Sequence, residues 1–146
     1  MIVLAADQEE QRLQSLVSQV RILEAYLNEI STRENLTGRA IIEGRASMEA
    51  VKALLSAPNS DVLLPIGAGV LISSAIAKPE KLFVDIGAGA VVAKTSEETL
   101  ALVEQRIKEL ETTLEKLQQQ KNQVENQLGS YRAAVNDIVE KARNET

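Results

Sequence analysis

The stretch that decides the fold is the tetrapeptide Ile-Gly-Ala-Gly, which occurs at residues 66–69 and again at residues 86–89. Each copy lies between short apolar runs of the kind found in β-strands. Glycine adopts positive φ angles at little cost, so we predict that each copy forms the turn or bulge of a β-hairpin. The predicted strands are residues 62–66, 70–76, 82–86 and 90–93, with residues 78–81 as the turn between the two hairpins.

A glycine-rich segment can also cradle a phosphate group, because glycine lets the backbone approach an anion closely. A dinucleotide-binding loop would need a third glycine where Ile72 or Val92 stands, and the Gly-Lys-Ser/Thr of a P-loop is missing. The tetrapeptides therefore favour turn formation over nucleotide binding, and we expect no cofactor.

Heptad-patterned segments flank the predicted hairpins on both sides. Alternating steps of three and four residues keep a narrow apolar seam facing a partner helix, which is typical of a left-handed coiled coil. In the second segment only Lys121 interrupts the seam, which consists of Leu100, Val103, Ile107, Leu110, Leu114, Leu117, Val124, Leu128, Tyr131, Val135 and Ile138. The first seam consists of Leu13, Leu16, Val20, Leu23, Leu27 and Ile30, and then Ile41, Met48, Val51 and Leu55.

The middle of the first segment is weaker, because Glu34, Thr37 and Gly44 occupy seam positions. If the chain folds back antiparallel about its centre, residues whose numbers sum to about 155 become neighbours in the two helices. Glu34 then lies level with Lys121, which predicts a matched polar layer that offsets part of its burial cost and fixes the register. Alternatively, both side chains extend from the narrow seam to water.

The predicted helix boundaries follow from capping and stop signals. Asp7 and Glu10 are candidates to cap the first helix, which we expect to end at about Ser56, before Pro58. Thr95 and Glu98 form a capping box for the second helix. We therefore divide the chain into a coiled-coil helix at 1–57, a double hairpin that mediates oligomerisation at 58–94, and a second coiled-coil helix at 95–146.

The composition excludes several classes of function. The chain has no histidine and no cysteine, which rules out Ser-His-Asp and Cys-His nucleophiles and the usual zinc sites, so we expect neither an enzyme nor a metal site. A net charge of −5 argues against binding to a nucleic-acid backbone. No apolar run reaches the roughly 20 residues of a membrane span, and the lack of cysteine suits a reducing cytoplasm.

Four short strands with this many apolar side chains cannot bury their faces and edges alone. We therefore expect the hairpins to pair with other chains in an oligomeric β platform from which the coiled coil projects, with Pro65 at a strand edge or bulge. The residues that we assign to oligomerisation are Leu63, Leu64, Ile66, Gly67, Gly69, Val70, Ile72, Phe83, Val84, Ile86, Gly87, Gly89 and Val92.

An antiparallel arm also brings the two termini together at its free end. We expect an apolar cluster there that contacts non-native polypeptide segments, because an exposed cluster is costly unless it binds something. Its candidate residues are Ile2, Val3, Leu4, Leu13, Val135, Ile138 and Val139. Alternatively, residues 1–6 fray as an ordinary terminus and the others complete the coiled coil.

The chain resembles the α subunits of archaeal prefoldin (GimC). The resemblance is carried by residues 64–69, 75–76, 83–89 and 92–94 of the double hairpin, together with the flanking helices. It implies an α+β fold in which a long antiparallel two-helix coiled coil carries two central hairpins, and these assemble into an intersubunit β-barrel. It further implies a hexamer of two α and four β subunits, ATP-independent holding of unfolded proteins at the arm tips, and delivery to a group II chaperonin.

A second function fits the same architecture. A coiled-coil tether or assembly adaptor would use the platform to set the number of arms and would bind folded partners at the tips. Such an adaptor would not suppress the aggregation of unrelated denatured proteins, whereas a chaperone would. An enzyme would need catalytic carboxylates, but most acids fall on solvent-facing helix positions; Asp85 is the mildly unusual one, because it lies within a predicted strand.

Overall fold

The computed structural model describes residues 2–146 and has two long helices, with two β-hairpins between them in the chain. The elements are α1 (Ile2–Ser56), β1 (Asp61–Gly67), β2 (Val70–Ala75), β3 (Leu82–Gly87), β4 (Ala90–Lys94) and α2 (Ser96–Asn144). The chain forms two compact units, one built from residues 2–37 with 113–146 and the other from residues 38–112. The predicted order of elements is confirmed.

The start of α1 corrects one prediction. Asp7 lies inside the helix rather than at its cap, since α1 already includes Ile2. Leucine and alanine in the apolar leader are good helix formers, and neither glycine nor proline interrupts them, so the helix extends through them. The end at Ser56 is as predicted, and Asn59 beyond it has a positive φ of 65°.

The capping box of α2 is confirmed. The Glu98 amide donates to Thr95 Oγ1 at 3.2 Å, and the Thr95 amide donates to Glu98 Oε2 at 3.3 Å. Each bond satisfies a donor that the first turn of a helix leaves unpaired. Glu97 and Glu98 also place negative charge at the positive end of the helix dipole.

The two hairpins are separate two-stranded antiparallel sheets. The register shifts between Pro65 and Gly67 in the first hairpin (β1–β2), and between Asp85 and Gly87 in the second (β3–β4). Gly67, Ala68 and Gly69 have φ angles of 112°, 50° and 77°, and residues 87–89 repeat the pattern. The repeated tetrapeptides therefore form turns with bulges, as predicted.

In the unit of residues 2–37 and 113–146, the two helical segments pack antiparallel along the predicted seam. Ile30, Leu117 and Val124 form its buried core, with Leu23 and Leu27 packed against them. Lys121 Nζ donates to Glu34 Oε2 at 3.0 Å, and Arg132 Nη2 lies 2.7 Å from Glu24 Oε1. These pairs confirm the predicted register and the matched polar layer.

In the unit of residues 38–112, Gly44 explains why the first seam contains a glycine. A Cβ atom at residue 44 would lie 2.9 Å from Cγ1 of the buried Ile107. This distance is too short for two carbon atoms, and the β-branched isoleucine has little freedom to move. The glycine thus allows the helices to approach closely at this level.

Exchanging glycine for alanine should give opposite results at two positions of α1. Gly44→Ala gains about 1 kcal/mol of helix propensity but incurs an overpacking cost of about 1–3 kcal/mol against Ile107. Gly38→Ala gains the same propensity with no atom within 4 Å of the new Cβ, so it should raise the free energy of unfolding. Urea unfolding monitored by circular dichroism measures the free energy of unfolding of both variants. If Gly44→Ala were as stable as Gly38→Ala, the close approach of the helices at Gly44 would be contradicted.

Candidate functional site

The hairpins carry the larger of the two candidate surfaces. Phe83 is 77% exposed and Leu63 is 66% exposed, which is unusual for large apolar side chains within strands. Ten large apolar side chains between residues 61 and 94 are exposed in the chain: Leu63, Leu64, Ile66, Val70, Leu71, Ile72, Phe83, Ile86, Val91 and Val92. Exposed apolar surface of this kind is typical of interaction sites.

Side-chain alternation divides the second hairpin into two faces. Val84 is only 8% exposed, and its neighbour Leu82 on the same face is half-buried. Phe83 and Val91 lie on the opposite face, which is open. Of the residues assigned to oligomerisation, Val84 is therefore the one that the chain itself covers.

The glycines of this candidate surface are needed for the backbone conformation of the turns. Gly67, Gly69, Gly87 and Gly89 all have positive φ, and a Cβ at any of them would meet nothing within 4 Å. Their requirement is thus backbone conformation rather than space.

The strand edges are the second feature of the hairpin surface. In a two-stranded sheet each strand bonds to its partner along one edge only, so its other edge presents backbone N–H and C=O groups that a further strand can pair with. Apolar faces and open edges together suit addition of strands from other chains.

The terminal candidates fall into two groups. Ile2, Val3 and Leu4 lie in the first turn of α1, and Ile2 is 88% exposed. Val139 near the end of α2 is also exposed. Leu13, Val135 and Ile138 are half-buried in the seam.

The structure places the first turn of α1 at a different level of the arm from Val135 and Ile138. Ile138 lies beside Glu9 and Arg12, and Val135 lies beside Val17 and Val20. At 1.5 Å per residue, Ile2 lies about 10 Å beyond Glu9 along α1. The apolar first turn therefore extends past the level of Ile138 instead of packing onto it.

Sequence reasoning missed two features. Ile22, Tyr26, Leu36 and Ile42 are exposed on α1, and they could have been found as the apolar residues that fall outside the heptad seam. Arg106 donates from Nη2 to the backbone oxygen of Asp85 at 2.9 Å, and the sequence carries no signal for this contact.

The comparisons with known proteins decide the family. The Prefoldin family model, described as prefoldin subunit, matches residues 23–141. The chain belongs to the prefoldin family. The prefoldin subunit alpha of Nitrosopumilus maritimus is 31% identical over 131 residues, which cover 90% of each chain. That of Methanoregula boonei is 34% identical over 119 residues, which cover 76% of this chain and 75% of the relative.

Solved prefoldin structures share the fold. The prefoldin beta subunit from Thermococcus strain KS-1 superposes with a TM-score of 0.58 at 14% identity, over 86% of this chain and 90% of that one. Membership of the prefoldin family supports a chaperone-type subunit. Over residues 2–146, neither helix has a stretch long and apolar enough to cross a membrane.

Proposed function

We propose that this prefoldin-family chain is the α-type subunit of an ATP-independent holdase. With β-type subunits, in the family's arrangement of two α and four β, its hairpins form a β-barrel platform. The arms hold unfolded proteins at their tips and deliver them to a group II chaperonin. The absence of cysteine suits action in the cytoplasm.

The exposed hairpins are the observation that carries this proposal. Burying a large apolar side chain contributes about 1.5–3 kcal/mol, so the ten exposed side chains of the hairpins represent a large favourable term for association. The open strand edges can add backbone hydrogen bonds between subunits.

The first turn of α1 supports the assignment of clients to the tip. Ile2, Val3 and Leu4 present apolar side chains to solvent on one helical turn. Such a surface fits short apolar segments of many unfolded chains, each bound weakly. Several arms on one platform then hold a client through combined contacts, without tight binding at any one.

Replacing the apolar side chains of this turn should weaken the binding of unfolded proteins without affecting assembly of the complex. The triple variant Ile2→Ser, Val3→Ser, Leu4→Ser should still assemble with a β-type subunit, but suppress aggregation of denatured citrate synthase severalfold less well. The control is Ile22→Ser with Leu36→Ser, which removes two exposed apolar side chains elsewhere on α1. Light scattering measures aggregation, and native mass spectrometry verifies assembly.

The outcomes distinguish the proposals. Equal loss in the test and control variants would contradict the tip assignment. A wild-type complex that assembles but fails to protect several unrelated denatured proteins would instead favour the adaptor that binds folded partners. Transfer of a fluorescent client from the complex to a group II chaperonin tests the last step, and failure to transfer would overturn the handover alone.

A further inference from the structure

We propose that Arg106 is a positioning residue that fixes the second hairpin to α2, so that the two hairpins, alike in sequence, have different parts in assembly. Arg106 lies in the third turn of α2, and its Nη2 donates to the backbone oxygen of Asp85 in β3 at 2.9 Å. A guanidinium is always charged, and a hydrogen bond from a charged donor is stronger than one between neutral groups.

Asp85 is held from a second side as well. Its Oδ1 accepts a hydrogen bond from the Gly87 amide at 2.8 Å, across the bulge that separates these two residues in the register. The carboxylate thereby stabilises the bulge, while the backbone oxygen accepts the hydrogen bond from Arg106. One residue thus connects the turn of the hairpin to the helix.

The first hairpin differs at the matching positions. Twenty residues before Asp85 the repeat has Pro65, which has no carboxylate to accept the glycine amide. One residue earlier, Leu64 is 39% exposed, whereas the matching Val84 is 8% exposed. Both differences favour a docked second hairpin and a first hairpin that is held less firmly.

This asymmetry has a consequence for assembly, and it rests on the proposed function. A hairpin fixed to α2 sets the angle at which the first turns of that helix leave the platform. A hairpin that is held less firmly can adjust to the strand of an incoming subunit. The second hairpin therefore keeps a fixed position on α2 during assembly, and the first hairpin adjusts to the incoming subunit.

Hydrogen–deuterium exchange of the full-length chain tests the contact directly. In Arg106→Ala, the amides of β3 and β4 should exchange about five- to tenfold faster, while those of β1 and β2 stay unchanged. Arg106→Lys keeps a charged donor and should recover part of the protection. Lys108→Ala is the matched control, since it removes an exposed positive charge two residues further along α2.

Asp85→Ala separates the two contacts of that residue, because it removes the carboxylate that accepts the Gly87 amide but keeps the backbone oxygen that Arg106 binds. Faster exchange should then be confined to the bulge around Gly87. Equal acceleration of both hairpins in Arg106→Ala, or none in β3 and β4, would overturn the proposal.

Assembly kinetics provide the functional readout. Mixing with a β-type subunit should form the complex severalfold more slowly with Arg106→Ala than with Lys108→Ala, at equal helix content by circular dichroism. Equal rates of complex formation for the two variants would refute the proposed role of Arg106 in assembly. If the wild-type chain formed no complex at all, the proposed function would fail, and the exchange experiment would still decide whether Arg106 fixes the hairpin.

Discussion

Replacing Leu63 or Phe83 by lysine is expected to abolish assembly with a β-type subunit while leaving the chain itself folded. Both side chains are largely exposed in the single chain, so lysine there costs little until another subunit covers the site. Burying an unpaired ammonium then costs several kcal/mol, and the apolar contact is lost as well. Since each 1.4 kcal/mol changes affinity tenfold, we expect a loss of more than hundredfold for either substitution.

The chain offers a closely matched control for this experiment. Ile42 on α1 is 66% exposed, the same fraction as Leu63, but it lies on a helix outside the proposed platform. Ile42→Lys should therefore assemble like the wild type. Analytical ultracentrifugation of each variant with the β-type subunit measures the affinity, and a loss as large for Ile42→Lys as for Leu63→Lys would contradict the platform.

The sequence was sufficient for the features that depend on local spacing. The heptad seam predicted which residues are covered along both helices, and the register derived from it predicted that Glu34 lies beside Lys121, as it does. The capping box and the glycine turns were predicted because each is built from residues only a few positions apart. Such patterns constrain the backbone directly.

Features that depend on how separate elements meet were not predictable. Nothing in the sequence distinguishes Val84 from the exposed Phe83 as the covered residue, because the choice depends on which face of β3 the rest of the chain covers. The contact from Arg106 to Asp85 joins residues 21 positions apart and ends on a backbone oxygen, which every residue has. Asp7 failed as a cap because the preceding apolar residues extend the helix beyond it.

Breaking the polar layer from one side should destabilise the coiled coil. In Lys121→Met, Glu34 keeps its charge in a site where its side chain is 21% exposed, and it loses the amine 3.0 Å away. We expect the free energy of unfolding to fall by about 1–3 kcal/mol, since a partly buried charge without a partner bears the cost of desolvation. Urea unfolding of the full-length chain measures it.

Replacing both members of the pair should restore stability. Glu34→Leu with Lys121→Met continues the apolar seam, so this double variant should be at least as stable as the wild type, and the two substitutions should be strongly non-additive. The pair of Glu24 with Arg132 is the control, because both of its side chains are more exposed; its double-mutant cycle should give about 0.5 kcal/mol or less. Additive effects at Glu34 and Lys121 would instead mean that both side chains are solvated independently, and that the polar layer contributes nothing as a pair.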